Sequence, residues 1–146
     1  MHRALQGFSG TTRRQEYIGK YKENTLVYDD YGHHPDEIQK TLKAFREFFP
    51  KHFIICDFQS HTYTRTRELW DGFVQSFADA DLTIINDIFA SAREEKDDAS
   101  LSYTFARAIA DNDNDVCYIP DFDHSAEYIQ KFIDSDPEKQ YLVLTL

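Results

Sequence analysis

Glycine is scarce in this sequence, at 5 residues in 146, and nowhere do glycines fall into Gly-x-x-x-x-Gly-Lys-Ser/Thr or Gly-x-Gly-x-x-Gly. The chain therefore carries no phosphate cradle of its own. No nucleophile elbow is present either. Cysteine is equally sparse. Cys56 and Cys117 each lie inside an apolar run, which excludes a disulfide framework, suits a reducing compartment and offers no metal-site spacing. No stretch is long or apolar enough to span a bilayer, and the N-terminus lacks a signal-peptide apolar region. The expected location is the cytoplasm. Positive charge is short: 16 Lys and Arg against 26 Asp and Glu leave a formal net charge of −10. Such a surface suits neither nucleic acid nor an anionic membrane, so neither is expected as a partner. Against that background the basic clusters Arg13-Arg14 and Arg65/Arg67 stand out.

The chain does have apolar and aromatic residues, at 41% and 15%, which excludes a disordered chain. Its length suits one domain with a real core. Strand-like runs fall at Glu16–Tyr21, Thr25–Asp30, His52–Phe58, Leu82–Asp87, Val116–Pro120 and Tyr141–Leu146. Helical spacing joins Ile38, Leu42, Phe45 and Phe49, and a second stripe runs through Leu69, Trp70, Phe73, Val74 and Phe77. Leu101, Phe105, Ala108 and Ile109 form a third stripe, and Ala126, Ile129, Phe132 and Ile133 a fourth. Continuous apolar strands such as Phe53-Ile54-Ile55-Cys56 imply burial on both faces of a parallel sheet. The short link Lys22-Glu23-Asn24 suits an antiparallel hairpin. The reading is an α/β domain with five parallel strands, one antiparallel edge strand and four helices. Residues 1–14 have no clear period and read as an entry segment to a domain over 15–146, with Arg93–Ala99 a charged, solvated loop. The final strand stops without a flanking element, so the chain reads as cut at both ends.

Three clusters could carry chemistry. The densest is Asp29-Asp30-Tyr31-Gly32-His33-His34-Pro35, which follows a strand and opens a helix. Open α/β sheets bind ligands at such carboxyl ends, where a carboxylate can accept from ribose hydroxyls. Tyr31 can stack on a base, and His33 or His34 can donate to an anion near the helix N-terminus. Alternatively the segment is a turn with one histidine capping the helix. The second cluster, Gly10 to Glu16, offers Arg13-Arg14, whose guanidinium forks suit phosphate or carboxylate. It can equally be a solvated surface paired with Glu16. The third, Phe58 to Arg67, sets His61 and Arg65 after another strand. This composition suits carboxylate recognition, or else Thr64 or Thr66 is a cap and the arginines are solvated.

Taken in order, Phe8-x-Gly10-x-x-Arg13-Arg14-x-Glu16, the Asp29–Pro35 segment, Phe58-Gln59-x-His61-x-Tyr63-Thr64-Arg65-Thr66 and Asp87-Ile88-Phe89 resemble the C-terminal domain of the Mur ligases. The similarity covers nearly the whole chain and lies in the branch that joins L-alanine to UDP-N-acetylmuramate. It implies a Rossmann-like, three-layer domain that closes as a lid over a central ATP-binding domain and an N-terminal UDP-sugar domain. It also implies ATP and Mg2+, the ion held mainly by that central domain, and an acyl-phosphate intermediate. Carried across, Arg14 contacts phosphate with a catalytic role, Asp30 contacts ribose, and Tyr31 and His34 neighbour the nucleotide. His33, His61 and Arg65 line the amino-acid and acyl end, the latter two also as catalytic groups. Ser60-His61-Thr62 stands where the family has Pro-His-Arg, which leaves Arg67 as a candidate substitute. The family's final glycine-rich segment is missing. The related tripeptide-recycling ligase, usually Phe-Ala at Tyr31-Gly32, and a non-catalytic binding module are the alternatives. A lone lid domain should not turn over.

Overall fold

A computed structural model describes residues 13–90, 100–112 and 114–146, so the Gly10–Thr12 part of the arginine cluster, most of the entry segment and the Arg93–Ala99 loop lie outside the described residues. Strands β1 (Glu16–Lys20) and β2 (Thr25–Asp29) form the expected antiparallel hairpin. Lys22 takes a left-handed φ of 56° in its turn. Helix α1 (Pro35–Phe48) leads from β2 to β3 (Phe53–Phe58). Two short helices follow, α2 (Tyr63–Glu68) and α3 (Trp70–Val74), then β4 (Leu82–Ile85). After α4 (Ser100–Ala110), β5 (Val116–Tyr118), α5 (Phe122–Ser135) and β6 (Tyr141–Thr145) complete the order.

The six strands make one sheet in the order β1-β2-β6-β3-β4-β5, parallel throughout except for the β1–β2 pair. Mixed strand direction and the three-layer plan agree with the sequence reading. The helix count differs, with five among the described residues. The chain breaks at Leu69, whose φ of −108° and ψ of 19° end α2 and start α3. Only the middle of the Leu69–Phe77 stripe is helical. Phe77 reaches the core from the following turn.

Side-chain alternation along a strand sends neighbouring residues to opposite faces, and both faces here are covered. Ile54, Cys56 and Phe58 of β3 pack with Leu142 and Leu144 of β6 under α1, α3 and α4. Ile55 and Val143 face the other way, beneath Ile129 and Ile133 of α5. Helix α1 starts where Pro35 pre-sets φ at its first position and Asp36 and Glu37 favour the positive helix end. Its Ile38, Leu42 and Phe45 are buried at helical spacing. The chain leaves β2 and β3 across one face and returns to β6, between them, across the other. The carboxyl ends of β2, β6 and β3 thus lie side by side, where open α/β sheets form a ligand crevice.

Candidate functional site

A crevice of about 380 Å³ opens at these strand ends. The residues after β2 make one wall. Asp30 is 3% exposed, and both its oxygens are engaged by backbone: Gln15 N–H donates to Oδ2 at 2.8 Å and Gly32 N–H to Oδ1 at 2.7 Å. An ionised carboxylate has lone pairs beyond those two, so acceptor capacity toward a ligand remains. These bonds tie the segment before β1 to the end of β2. Tyr31 N–H adds another, donating to the Arg13 carbonyl at 2.8 Å. Arg13 and Gln15 hold left-handed φ values of 55° and 48° in this short stretch.

Arg13 donates from Nε to Asp29 Oδ2 at 3.0 Å, and its guanidinium lies 5.1 Å from the Tyr31 ring centroid. Tyr31 itself is half exposed and meets the His33 ring edge-on at 5.3 Å. His33 Nδ1 sits 3.1 Å from the Tyr31 carbonyl, while its N–H donates to Glu37 Oε2 at 3.2 Å. That backbone bond is the main reason the Glu37 carboxyl lies below its ordinary range.

The opposite wall follows β3. Phe89 stacks on the His61 ring at 5.3 Å, with 25° between their planes. Backbone bonds brace the pair: Thr62 N–H donates to the Phe89 carbonyl at 2.8 Å, and Phe89 N–H to the Ser60 carbonyl at 2.9 Å. Arg65 enters from α2. Thr62 caps that helix by accepting from Arg65 N–H at 3.3 Å, although its φ of 72° is a strained value for a β-branched residue. Below, Ser60 Oγ and Thr66 Oγ1 share a buried hydrogen bond of 2.7 Å. Gln59 forms part of the floor, donating to the Asp87 carbonyl at 2.9 Å. Near that carbonyl, burial and a hydrogen bond to Asp87 push the Tyr118 phenol up to about 12.

Of the residues singled out in the sequence, Asp30, Tyr31, His33, His61 and Arg65 converge on this crevice. Arg14, His34 and Arg67 are not brought into it. Arg14 lies outside the lining, 3.8 Å from Glu37 Oε1. His34 is the N-cap of α1, its Nδ1 accepting from Asp36 N–H at 3.3 Å, as the capping alternative held. With Arg67 it borders a separate hollow beside Trp70. Sequence reasoning did not assign Arg13, Gln59, Phe89 or Phe122 to the site. Arg13 was visible in the Arg13-Arg14 pair, and Phe89 in Asp87-Ile88-Phe89. Phe122 gave no local signal, because α5 arrives from the far edge strand. Arg13, Arg65, His33 and His61 thus share the crevice with one engaged carboxylate, Asp30.

Comparison with known proteins matches residues 13–145 to the family model described as Mur ligase, glutamate ligase domain. The UDP-N-acetylmuramate--L-alanine ligase of Desulfitobacterium hafniense is 41% identical over 143 residues, 98% of this chain and 31% of that protein. The crystal structure of UDP-N-acetylmuramate-alanine ligase from Thermotoga maritima superposes with a TM-score of 0.65 at 19% identity, covering 98% of this chain and 28% of that one. A murein peptide ligase from Psychrobacter arcticus gives 0.67 at 22% identity, with the same coverage of both chains. At those identities the solved structures speak to the fold alone. The chain spans less than a third of the length of these relatives.

Proposed function

The chain belongs to the Mur ligase family through its glutamate ligase domain, and we propose that it serves as the lid of an ATP-dependent ligase joining L-alanine to UDP-N-acetylmuramate. The observation that carries this reading is the crevice, where Arg65, His61 and His33 surround a space beside Asp30 and Tyr31. Activation of a carboxylate as an acyl phosphate, followed by attack of an amine, builds negative charge that preorganised cations stabilise. Arg65 and His61 are suited to that charge, and His33 to the incoming amino acid. Asp30 and Tyr31 offer an acceptor and an aromatic face for the nucleotide. Arg14, outside the lining and beside Glu37, meets the nucleotide's phosphates in this reading when the lid closes. Closure of such a lid also excludes water that would hydrolyse the acyl phosphate.

In this reading magnesium is held mainly by the central domain, as the resemblance implies. Among the described residues no group of three or more His, Cys, Asp or Glu side chains could hold a metal ion. Among the same residues no helix is long and apolar enough to cross a membrane.

Gly32 favours the L-alanine enzyme over the tripeptide-recycling one. A Cβ at this position would lie 3.1 Å from Asp30 Oδ1 and 3.4 Å from Leu146 Cδ2. An alanine there would crowd the carboxylate that Gly32 N–H holds. Phosphate release with ATP, Mg2+, UDP-N-acetylmuramate and L-alanine tests the proposal. The chain alone is expected to give none, and adding the N-terminal and central domains is expected to restore it. Turnover by the chain alone would overturn the lid role. Turnover of the reconstituted enzyme with the tripeptide but not with L-alanine would overturn the substrate.

A further inference from the structure

Arg13 is the crevice residue that neither its surroundings nor the role given to Arg14 explains. Its guanidinium has five N–H donors, and Nε uses one, on Asp29 Oδ2 at 3.0 Å. Asp29 is itself fixed from the other side, because Thr145 Oγ1 donates to its Oδ1 at 2.8 Å. The guanidinium carbon lies over the Tyr31 ring, 5.1 Å from its centroid. The backbone under Arg13 is held in a left-handed conformation by the Tyr31 N–H bond to its carbonyl and by Glu16, whose Oε2 accepts from Arg13 N–H at 2.6 Å. Carboxylate, ring and backbone together aim one fork of the side chain. Among the described residues its two terminal nitrogens, with four N–H groups, have no acceptor. They border the crevice whose opposite wall carries Arg65 and His61.

We infer that Arg13 is a binding residue for an oxyanion in this crevice, a second guanidinium opposite Arg65, and that Asp29 is its positioning residue. A planar fork with both terminal nitrogens open is the arrangement that grips a carboxylate or a phosphate through two parallel bonds. Strained backbone maintained by several bonds is characteristic of such sites. A chain of net charge −10 would not gather two arginines at one concavity for general solubility. The inference rests on the reading that the crevice takes an anionic ligand, and adds a residue to it. The anion is the carboxylate of an amino acid or acyl group, or a nucleotide phosphate.

The test uses the chain itself, following arginine Nε–Hε signals by 15N NMR while adding sodium acetate in one series and inorganic pyrophosphate in another. Arg13 and Arg65 signals are expected to shift together with either anion, and the series saturating at lower concentration identifies the source. Arg13→Gln is expected to weaken that binding by about tenfold to a hundredfold, the range of charge-assisted hydrogen bonds, and Arg13→Lys by less. Asp29→Asn is expected to move the free-state Arg13 signal and weaken binding about threefold to tenfold, as a positioning residue should. Unchanged amide spectra establish that each variant is folded. Binding weakened by Arg65→Gln but untouched by Arg13→Gln would overturn the assignment while leaving the anion crevice standing. No response of the wild-type signals to either anion would overturn it too. Failure of the L-alanine ligase reading would show separately, in the reconstituted turnover assay.

Discussion

Asp57 shows how far a single side chain departs from what its neighbours in sequence suggest. It ends an apolar run in β3, is 8% exposed, and accepts from Ser125 Oγ of α5 at 2.9 Å. Burial raises its carboxyl above the ordinary carboxylate range, against hydrogen bonds from Ser125 and Asn86 that pull it down. A raised value means that folding favours the protonated acid. Its contribution to stability is therefore complete below the unfolded-state value and is lost as pH rises through the folded one. Asp57→Asn does not titrate, so its stability relative to wild type should improve between about pH 4 and about pH 7. Urea unfolding of both proteins at the two pH values measures this. A pH-independent difference would mean that the carboxyl is not shifted. The same scale explains which site residues could be read in advance. Asp30, Tyr31, His33, His61 and Arg65 were legible because polar groups cluster after strands, while Phe122 borders the site only because α5 crosses the sheet.

At the scale of the element, the turn from β3 into α2 carries the most conflict between local preference and observed structure. Thr62 holds φ at 72° and ψ at 135°, a region that glycine alone visits freely, yet its hydroxyl oxygen caps α2. Strain of this kind costs about 1–3 kcal/mol. Thr62→Ala keeps the strain and loses the cap. Thr62→Gly relieves the strain, and glycine is itself a tolerable N-cap. The glycine variant should therefore exceed the alanine variant by about 1 kcal/mol, reversing their ordinary order. Equilibrium denaturation of the two variants decides it, and alanine equal to or above glycine would show that the turn is not strained. The pairs Ser60–Thr66 and His61–Phe89 hold the element in place from both sides. None of this was visible in the sequence, where Thr62 read only as a departure from the family pattern. Helical periodicity likewise began at Leu69 and passed over α2, whose residues offer only Tyr63 as an apolar side chain.

At the scale of the molecule, the excess of acidic residues sets the response to salt. The formal net charge of −10 makes the folded state repel itself, and screening relieves that repulsion. The melting temperature should rise between about 20 mM and about 200 mM NaCl, a range over which the Debye length falls by roughly threefold. Differential scanning calorimetry measures it. A melting temperature that falls with salt would mean that attractive pairs such as Arg46–Asp81, rather than net repulsion, dominate.

The sequence by itself determined the class of the fold, because apolar runs bounded by turn residues mark strands wherever they pair. All six strands lie within a residue or two of the runs that announced them, and the hairpin followed from the length of its link. It also determined that the polar clusters follow β2 and β3. Only the tertiary structure decided what those clusters do. Strand order is set by long-range pairing, and placing β6 between β2 and β3 brings two distant segments to a single crevice. Backbone geometry then chose between neighbours of the same chemistry. It set Arg13 along the crevice and Arg14 beside Glu37, and it gave His33 to the crevice and His34 to the helix cap. Adjacent residues share composition and spacing, so only the direction of each side chain could tell them apart.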